Sequence, residues 1–254
     1  KKLNQWKLRI TKYADELLDF EGLDWPERVR SMQQNWIGRS EGVEFALQVS
    51  DSADLSFRVF TTRPDTVFGM TFCVLAPEHI LVDQITTPEQ KDAVKAYKGA
   101  AERKDEIERT AEGQEKDGVF TGAFAVNPMN GESVPIWIAD YVLASYGTGA
   151  IMAVPGHDER DFHFARKYGL PTPVVIVAPE QLDSIPDGDD LSEPILQKEN
   201  SVMVNSLNFD GAVWPESYNR VADMMQKEGF GERQVNYRLH DWLISRQRMW
   251  GTPI

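Results

Sequence analysis

The stretch YGTGAIMAVPGHDERDFHFARKY, residues Tyr146 to Tyr168, reads as turn, strand, turn and helix in immediate succession. Gly147 and Gly149 flank a tight turn. Ala150 to Val154 is a short apolar run that Pro155 and Gly156 break. A helix then reads from about Asp158 to Tyr168: Asp158 has the residue type of an N-cap, Asp161 falls in the first turn, and Gly169 and Pro171 supply the stop. His157, Asp158, Glu159, Arg160 and Asp161 therefore cluster at a helix N-terminus just after a strand, a plausible wall of a ligand site. The plainer reading stands beside it, because acids in a first turn offset the helix dipole without any ligand.

Upstream, Val43, Phe45, Leu47 and Val49 alternate with polar or small residues, and Phe57, Val59 and Thr61 do the same after a turn at residues 51–54. That is a hairpin signal. Val67 to Leu75 reads as a further β-rich run. Short strands are expected near 123–126 and 134–138, with Asn130-Gly131 as a turn between them, and at Val174 to Val177. Helices are expected over residues 3–20, from Pro26 to Trp36, from Thr87-Pro88 to about Lys116, and from Trp214 to Gly229. Residues 180–198 read as an exposed acidic loop, and Gln234 to Trp250 fits strand or helix. Several short strands with a few inserted helices favour an α+β fold with a closed or folded, β-barrel-like core and peripheral helices, not a regular βαβ series. A boundary falls near Gly38 to Gly42.

The 254 residues, 41% of them hydrophobic, with seven Trp, suffice for a sizeable core. No apolar run approaches the roughly 18 residues of a membrane span, and no basic region followed by an apolar one opens the chain. The single cysteine, Cys73, excludes an internal disulfide and any zinc site needing two thiolates, which fits a reducing, intracellular setting. A net charge of −13 argues against coating a nucleic acid, yet the charge is uneven: residues 180–193 carry six acids and no base, while Arg233, Arg238, Arg246 and Arg248 gather near the end. A start at Lys1 without Met and a stop at Ile254 lead us to expect a piece of a longer chain.

Thr61, Thr62 and Thr66 form a hydroxyl cluster around Pro64, which cannot donate a ladder hydrogen bond. Such a cluster suits a polar neutral substrate or a held water. Arg63 and Asp65 flank it and can simply pair with each other. His157 and His163 lack helical ligand spacing, so no metal is expected. Asp158 and Asp161 can be read as an acid/base pair, but a cap plus a ligand carboxylate is simpler. Tyr146-Gly147-Thr148-Gly149-Ala150 lacks the third glycine of a dinucleotide fingerprint and runs into a strand. No Ser or Cys sits in a nucleophile elbow, and no cofactor is expected.

Two motifs together, Thr61-Thr62-Arg63-Pro64-Asp65-Thr66-Val67-Phe68-Gly69 and the glycine turn through Pro155-Gly156-His157-Asp158-Glu159-Arg160-Asp161, closely resemble the editing (CP1) domain of a bacterial-type leucyl-tRNA synthetase. Trp36 to Gly42, Ser245 to Arg248 and Trp250 to Ile254 resemble the segments where that family's chain leaves and re-enters the synthetic domain. The resemblance implies a helical connecting segment at 1–38, an editing domain at 39–230 and a return segment at 231–254. Valine and isoleucine relatives usually carry Pro-Trp where this chain has Arg63-Pro64-Asp65. One departure is Leu207 after Asn205-Ser206, where the family often has Gly. The nucleotide-binding signatures of the full enzyme are absent, so amino acid activation is not expected.

The resemblance implies hydrolysis of norvaline, isoleucine or methionine esterified to tRNA(Leu), with leucine excluded. By family likeness Asp161 would hold the substrate ammonium. The Thr61–Thr62 region would serve the ester and the attacking water, with Arg63 beside it. Thr66 would exclude leucine by bulk, Met152 and Val154 would line the side-chain pocket, and Tyr146 and Asp158 would meet the terminal nucleotide. The implied partners are the tRNA(Leu) 3′ end and the remainder of the synthetase, with no membrane and a monomeric piece; the compartment would be the cytoplasm or an organelle. Two other readings stay open: a tRNA-end binding module without turnover, and a small-ester hydrolase using Asp158 and Asp161.

Overall fold

The computed structural model describes residues 5–52, 54–105, 108–109, 116–144 and 147–245. In chain order the strands are β1 (Lys7–Leu8), β2 (Arg39–Val49), β3 (Ser56–Thr61), β4 (Phe72–Leu75), β5 (Val119–Val126), β6 (Ser133–Ile138), β7 (Ala150–Ala153), β8 (Ile176–Val177), β9 (Val202–Met203), β10 (Gly231–Tyr237) and β11 (Trp242–Leu243). The helices are α1 (Glu27–Ile37), α2 (Val82–Ile85), α3 (Lys91–Ala101), α4 (Glu159–Tyr168) and α5 (Glu216–Lys227). Two compact units emerge, residues 1–41 with 235–254 and residues 42–234. No helix among the described residues is long and apolar enough to cross a membrane.

In the first unit the apolar spacing over residues 3–20 does not give an α-helix. Its described part forms β1 and two short 3-10 turns at Ile10–Tyr13 and Glu16–Leu18. Partners distant in sequence override the periodicity: β1 pairs antiparallel with β11, and the Thr11 hydroxyl donates to Asp241 at 2.8 Å. Helix α1 starts after Pro26 as expected and ends on Gly38, whose φ of 57° is the left-handed conformation of a helix stop.

In the larger unit β2 and β3 make the expected hairpin, with Val43 opposite Thr61, Phe45 opposite Val59 and Leu47 opposite Phe57. All of these except Thr61 are buried, so the period-two pattern does mark the core face. The sheet runs β10-β2-β5-β6-β4-β7, with β3 paired to β2 off that path. β3 also packs against β7 at the far end of the path. No ladder joins these two strands among the described residues, so the core is barrel-like but not closed. One pair, β4 with β6, is parallel, and β2–β3, β2–β5, β4–β7 and β5–β6 are antiparallel.

Strand β4 is buried on both faces, which explains its unbroken apolar sequence. Cys73 and Leu75 join the main core with Met152 and Val154, while Phe72 and Val74 join a second core with Ala153, Phe164 and Ala165. Helix α4 therefore covers the back of β4 and β7. Phe164 stacks on Phe72 at 5.0 Å between ring centroids and meets Trp137 edge-on at 5.4 Å. Truncating such a ring to Ala costs about 3–5 kcal/mol.

Two further expectations need correction. The run Val67 to Leu75 is not one strand, because Pro64–Gly69 winds into a 3-10 turn and only Phe72–Leu75 is extended. Side-chain and backbone bonds within the turn, and the Asn127 amide donating to the Val67 carbonyl at 2.9 Å, satisfy groups that a ladder would otherwise take. The Thr87-Pro88 start does not cap a helix reaching Lys116. The Thr87 N–H donates to the Thr121 carbonyl in β5, and α3 begins only at Lys91 and ends at Ala101.

Candidate functional site

Helix α4 begins as its sequence dictates. The Asp158 carboxylate accepts the Asp161 N–H at 3.0 Å, with Asp158 in extended backbone, and Gly169 closes the helix at φ 66°. One Asp158 oxygen is thus engaged in the cap, which disfavours Asp158 as half of an acid/base pair. The same turn places Asp161 over the end of β7, where its Oδ2 accepts the Val154 N–H at 2.9 Å. Asp161 is 3% exposed. Its Oδ1 has no hydrogen-bond partner among the described residues and meets Arg160 only at 3.6 Å. Burial pushes the carboxyl pKa up to about 7, and the neighbouring Asp158 adds to the rise. The Arg160 guanidinium lies 5.0 Å over the Tyr141 ring, and the Tyr141 hydroxyl is buried without a partner among the described residues.

The threonine stretch folds on itself. The Thr61 hydroxyl accepts the Arg63 N–H at 3.0 Å, and the Thr66 hydroxyl donates to the Arg63 carbonyl at 2.9 Å. Thr66 is buried with its side chain fixed by that bond, whereas Thr62 is exposed. Arg63 pairs with the fully buried Asp65 through two nitrogens, at 3.0 and 2.8 Å, so the plainer expectation for these two residues is what the fold adopts. Its guanidinium also lies 5.4 Å over the Trp214 ring. No local sequence signal links Trp214 to Arg63, and this neighbour was missed.

The two stretches meet. Gly69, ending the threonine turn, abuts Val154: a Cβ on Gly69 would come 3.1 Å from that side chain. Val154 in turn carries the N–H that holds Asp161. Met152 and Val154 face the main core beside Val67 and Phe68, not solvent. Tyr146 lies outside the described residues.

His157 has a role that spacing did not reveal. Its Nδ1 donates to the Ile195 carbonyl at 3.0 Å, and its Nε2 accepts the Val175 N–H at 2.9 Å. The acceptor role of Nε2 fixes a neutral ring with the proton on Nδ1. Burial pulls its pKa down to about 4, and Arg63 adds to the drop while Asp65 opposes it. His157 is a pin holding the Asp158–Asp161 turn against residues 175 and 195. No group of metal-ligating side chains forms among the described residues.

The chain as a whole is similar to known proteins. The model of the family described as leucyl-tRNA synthetase, editing domain, matches residues 34–226. A leucine–tRNA ligase of Dehalococcoides mccartyi strain CBDB1 is 53% identical over 254 residues, covering 99% of this chain and 30% of its own. One from Clostridium beijerinckii is 52% identical, covering all of this chain and 30% of its own. A solved structure, the ternary complex of Agrobacterium radiobacter K84 agnB2 LeuRS with tRNA and LeuAMS, aligns with a TM-score of 0.71 at 38% identity, over 98% of this chain and 27% of its own. The chain thus spans under a third of the length of these relatives.

Proposed function

The chain belongs to the leucyl-tRNA synthetase editing-domain family, and we propose that it hydrolyses the ester of a noncognate amino acid carried on the 3′ end of tRNA(Leu) while sparing leucine. Norvaline, isoleucine and methionine are the substrates, and the reaction needs neither cofactor nor metal. In the cell the domain works in the cytoplasm as part of a longer synthetase, to which residues 1–38 and 231–254 connect it; alone it is a monomer.

The observation that carries this reading is Asp161. One oxygen is anchored at Val154 N–H, and the other is buried without a hydrogen-bond donor. A buried carboxylate oxygen lacking a donor is costly, and a substrate ammonium satisfies it. Arg160, its side chain 44% exposed, holds only the loose 3.6 Å contact and has room to withdraw. The bound ammonium then favours the charged carboxylate and lowers its pKa from about 7.

Thr66, held by Arg63, is the steric stop for leucine. The exposed Thr62 and the Thr61 turn present hydroxyl and backbone groups to the ester and to an attacking water. Met152 and Val154 form the apolar floor, and Tyr146 and Asp158 meet the terminal nucleotide. A methylene-scale contact discriminates by about 10–200-fold, so a second sieve adds what a single synthetic pocket lacks.

The test is hydrolysis of isoleucyl-tRNA(Leu) and leucyl-tRNA(Leu), side by side, at high concentration of this chain. Selective loss of the isoleucyl ester is the expected result. Retention of the RNA with no loss of either ester means a binding module without turnover. Cleavage of simple amino acid esters at the same rate means a general esterase.

A further inference from the structure

Helix α4 and the turn at residues 139–142 set one cation between two partners. The Arg160 guanidinium lies 5.0 Å over the Tyr141 ring, and its Nε lies 3.6 Å from Asp161 Oδ1. That oxygen is the one buried without a donor. An arginine beside a carboxylate commonly closes on it with two parallel hydrogen bonds, and here it does not. Helical spacing is one reason, because consecutive residues of a helix do not face each other. It is not the whole reason. The stem already brings Nε to 3.6 Å, and the two terminal nitrogens reach further than Nε does.

We propose that the Tyr141 ring is a platform that holds Arg160 aside and so keeps Asp161 Oδ1 open for the substrate ammonium. Tyr141 is then a positioning residue for the hydrolysis, and the inference rests on the reading above.

The platform is fixed from both sides in the chain. Arg109 donates from Nε to the Asp140 carbonyl at 2.6 Å and from Nη2 to the Val142 carbonyl at 3.0 Å, and it is itself paired with Glu78. The Asp140 N–H donates to the Tyr97 hydroxyl at 3.1 Å, and the Asp140 carboxylate accepts from Lys104 at 2.6 Å. Phe164 meets the Tyr141 ring edge-on at 6.3 Å, and Tyr141 is 7% exposed. The ring therefore cannot follow Arg160 outward. The hydroxyl has no hydrogen-bond partner among the described residues, so Arg160 is held by the ring face.

A guanidinium closed on Oδ1 would neutralise the carboxylate and fill the place of the ammonium. On the ring it keeps its charge and leaves that place free. Asp158 and Arg160 on the helix and Tyr141 from the turn act on the Asp161 carboxyl, and Asp140 acts on Tyr141. Closure of Arg160 would add an opposite charge in contact and hold the carboxyl ionised.

The experiment removes the ring with and without the arginine. Tyr141→Met fills similar volume with no ring face. At a pH above 7 it should raise KM for isoleucyl-tRNA(Leu) about ten-fold with kcat nearly kept, while Tyr141→Phe keeps most of the parent value. In an Arg160→Gln background the same Tyr141→Met change should cost less than about two-fold. By carboxyl NMR, Asp161 should titrate well below its parent value in Tyr141→Met, and close to the Arg160→Gln value in the double variant. In the unaltered protein the Arg160 Nε–H resonance should keep its ring-current shift while Asp161 ionises, a reading that needs no variant to fold. An equal loss in Tyr141→Phe would assign the effect to the hydroxyl and overturn the platform. So would an equal cost of Tyr141→Met with and without Arg160, an unchanged Asp161 titration in folded Tyr141→Met, or a ring-current shift that is absent or vanishes as Asp161 ionises. Failure of the function reading looks different: no ester is hydrolysed by the unaltered chain, and the two NMR readings still decide the platform.

Discussion

The Val154 N–H donates to Asp161 Oδ2 at 2.9 Å, joining the last residue of an apolar run to a carboxylate in the first turn of the next helix. The two lie seven positions apart in the chain, and the Asp158 cap between them sets the distance. The carboxylate is therefore aimed by backbone on both sides: its own N–H is bonded to Asp158, and one of its oxygens to Val154.

Removing that carboxylate should abolish hydrolysis. Asp161→Ala is expected to lower kcat/KM for isoleucyl-tRNA(Leu) by more than a hundred-fold, because a charge-assisted bond to the substrate ammonium is lost. In the unaltered protein the same carboxyl is raised to about 7. Below that pH the charged form falls about ten-fold per unit while the substrate ammonium stays charged. The kcat/KM profile should therefore drop with a slope of one on its acid side, and a flat profile from pH 5 to 7 would remove Asp161 from ligand binding.

Thr66 is fixed by the bond from its hydroxyl to the Arg63 carbonyl. Two substitutions separate bulk from bonding. Thr66→Ala should admit leucine and raise cleavage of leucyl-tRNA(Leu) by about 10–100-fold. Thr66→Val keeps the bulk, should still spare leucine, and should lose about 1 kcal/mol of stability with the hydrogen bond. Leucyl ester cleavage by both variants alike would show that orientation, not volume, is what excludes leucine.

Gly156 is needed for close approach of two backbones. A Cβ there would lie 2.3 Å from the Pro173 carbonyl oxygen, beside the Val175 N–H that His157 accepts. Gly156→Ala should cost about 1–3 kcal/mol in urea unfolding, the usual cost of overpacking a fixed contact. A variant as stable as the parent would mean that residues 173–175 yield easily, and that His157 is not pinned there.

The sequence made some of this arrangement plain and hid the rest for physical reasons. The α4 cap, its glycine stop and the β2–β3 register are set by neighbours in the chain, so Asp158, Gly169 and the alternation from Val43 were readable. The 3-10 turn at Pro64–Gly69 was hidden because Val67 and Phe68 have the composition of a strand, while Asn127, far along the chain, takes the Val67 carbonyl. Residues 3–20 misled in the same way: their period is helical, but β11 and Asp241 claim the segment. The resemblance drew attention to Thr66 and Asp161, yet no spacing rule shows that Trp214 lies over Arg63 or that His157 bonds Ile195.

His157 and Asp161 should oppose each other in the pH dependence of stability. Asp161 stands above its ordinary value of 3.8, at about 7, so the folded protein binds that proton more tightly than the unfolded chain and stability falls as pH climbs from about 4 to about 7. His157 stands below its ordinary value of 6.5, at about 4, so the unfolded chain binds that proton more tightly and stability rises over roughly the same interval. Each effect is on the order of 3–4 kcal/mol. Asp158, Arg160 and Tyr141 face Asp161, and Arg63 and Asp65 act on His157, so the two groups titrate in distinct surroundings. The unaltered protein should show a flattened profile between pH 4.5 and 6.5, about the range where both apply. Asp161→Asn should unmask a steep loss of Tm on acidification, and His157→Gln the reverse trend. Parallel Tm profiles for the two variants would mean that at least one of these groups is not held in its buried, neutral form.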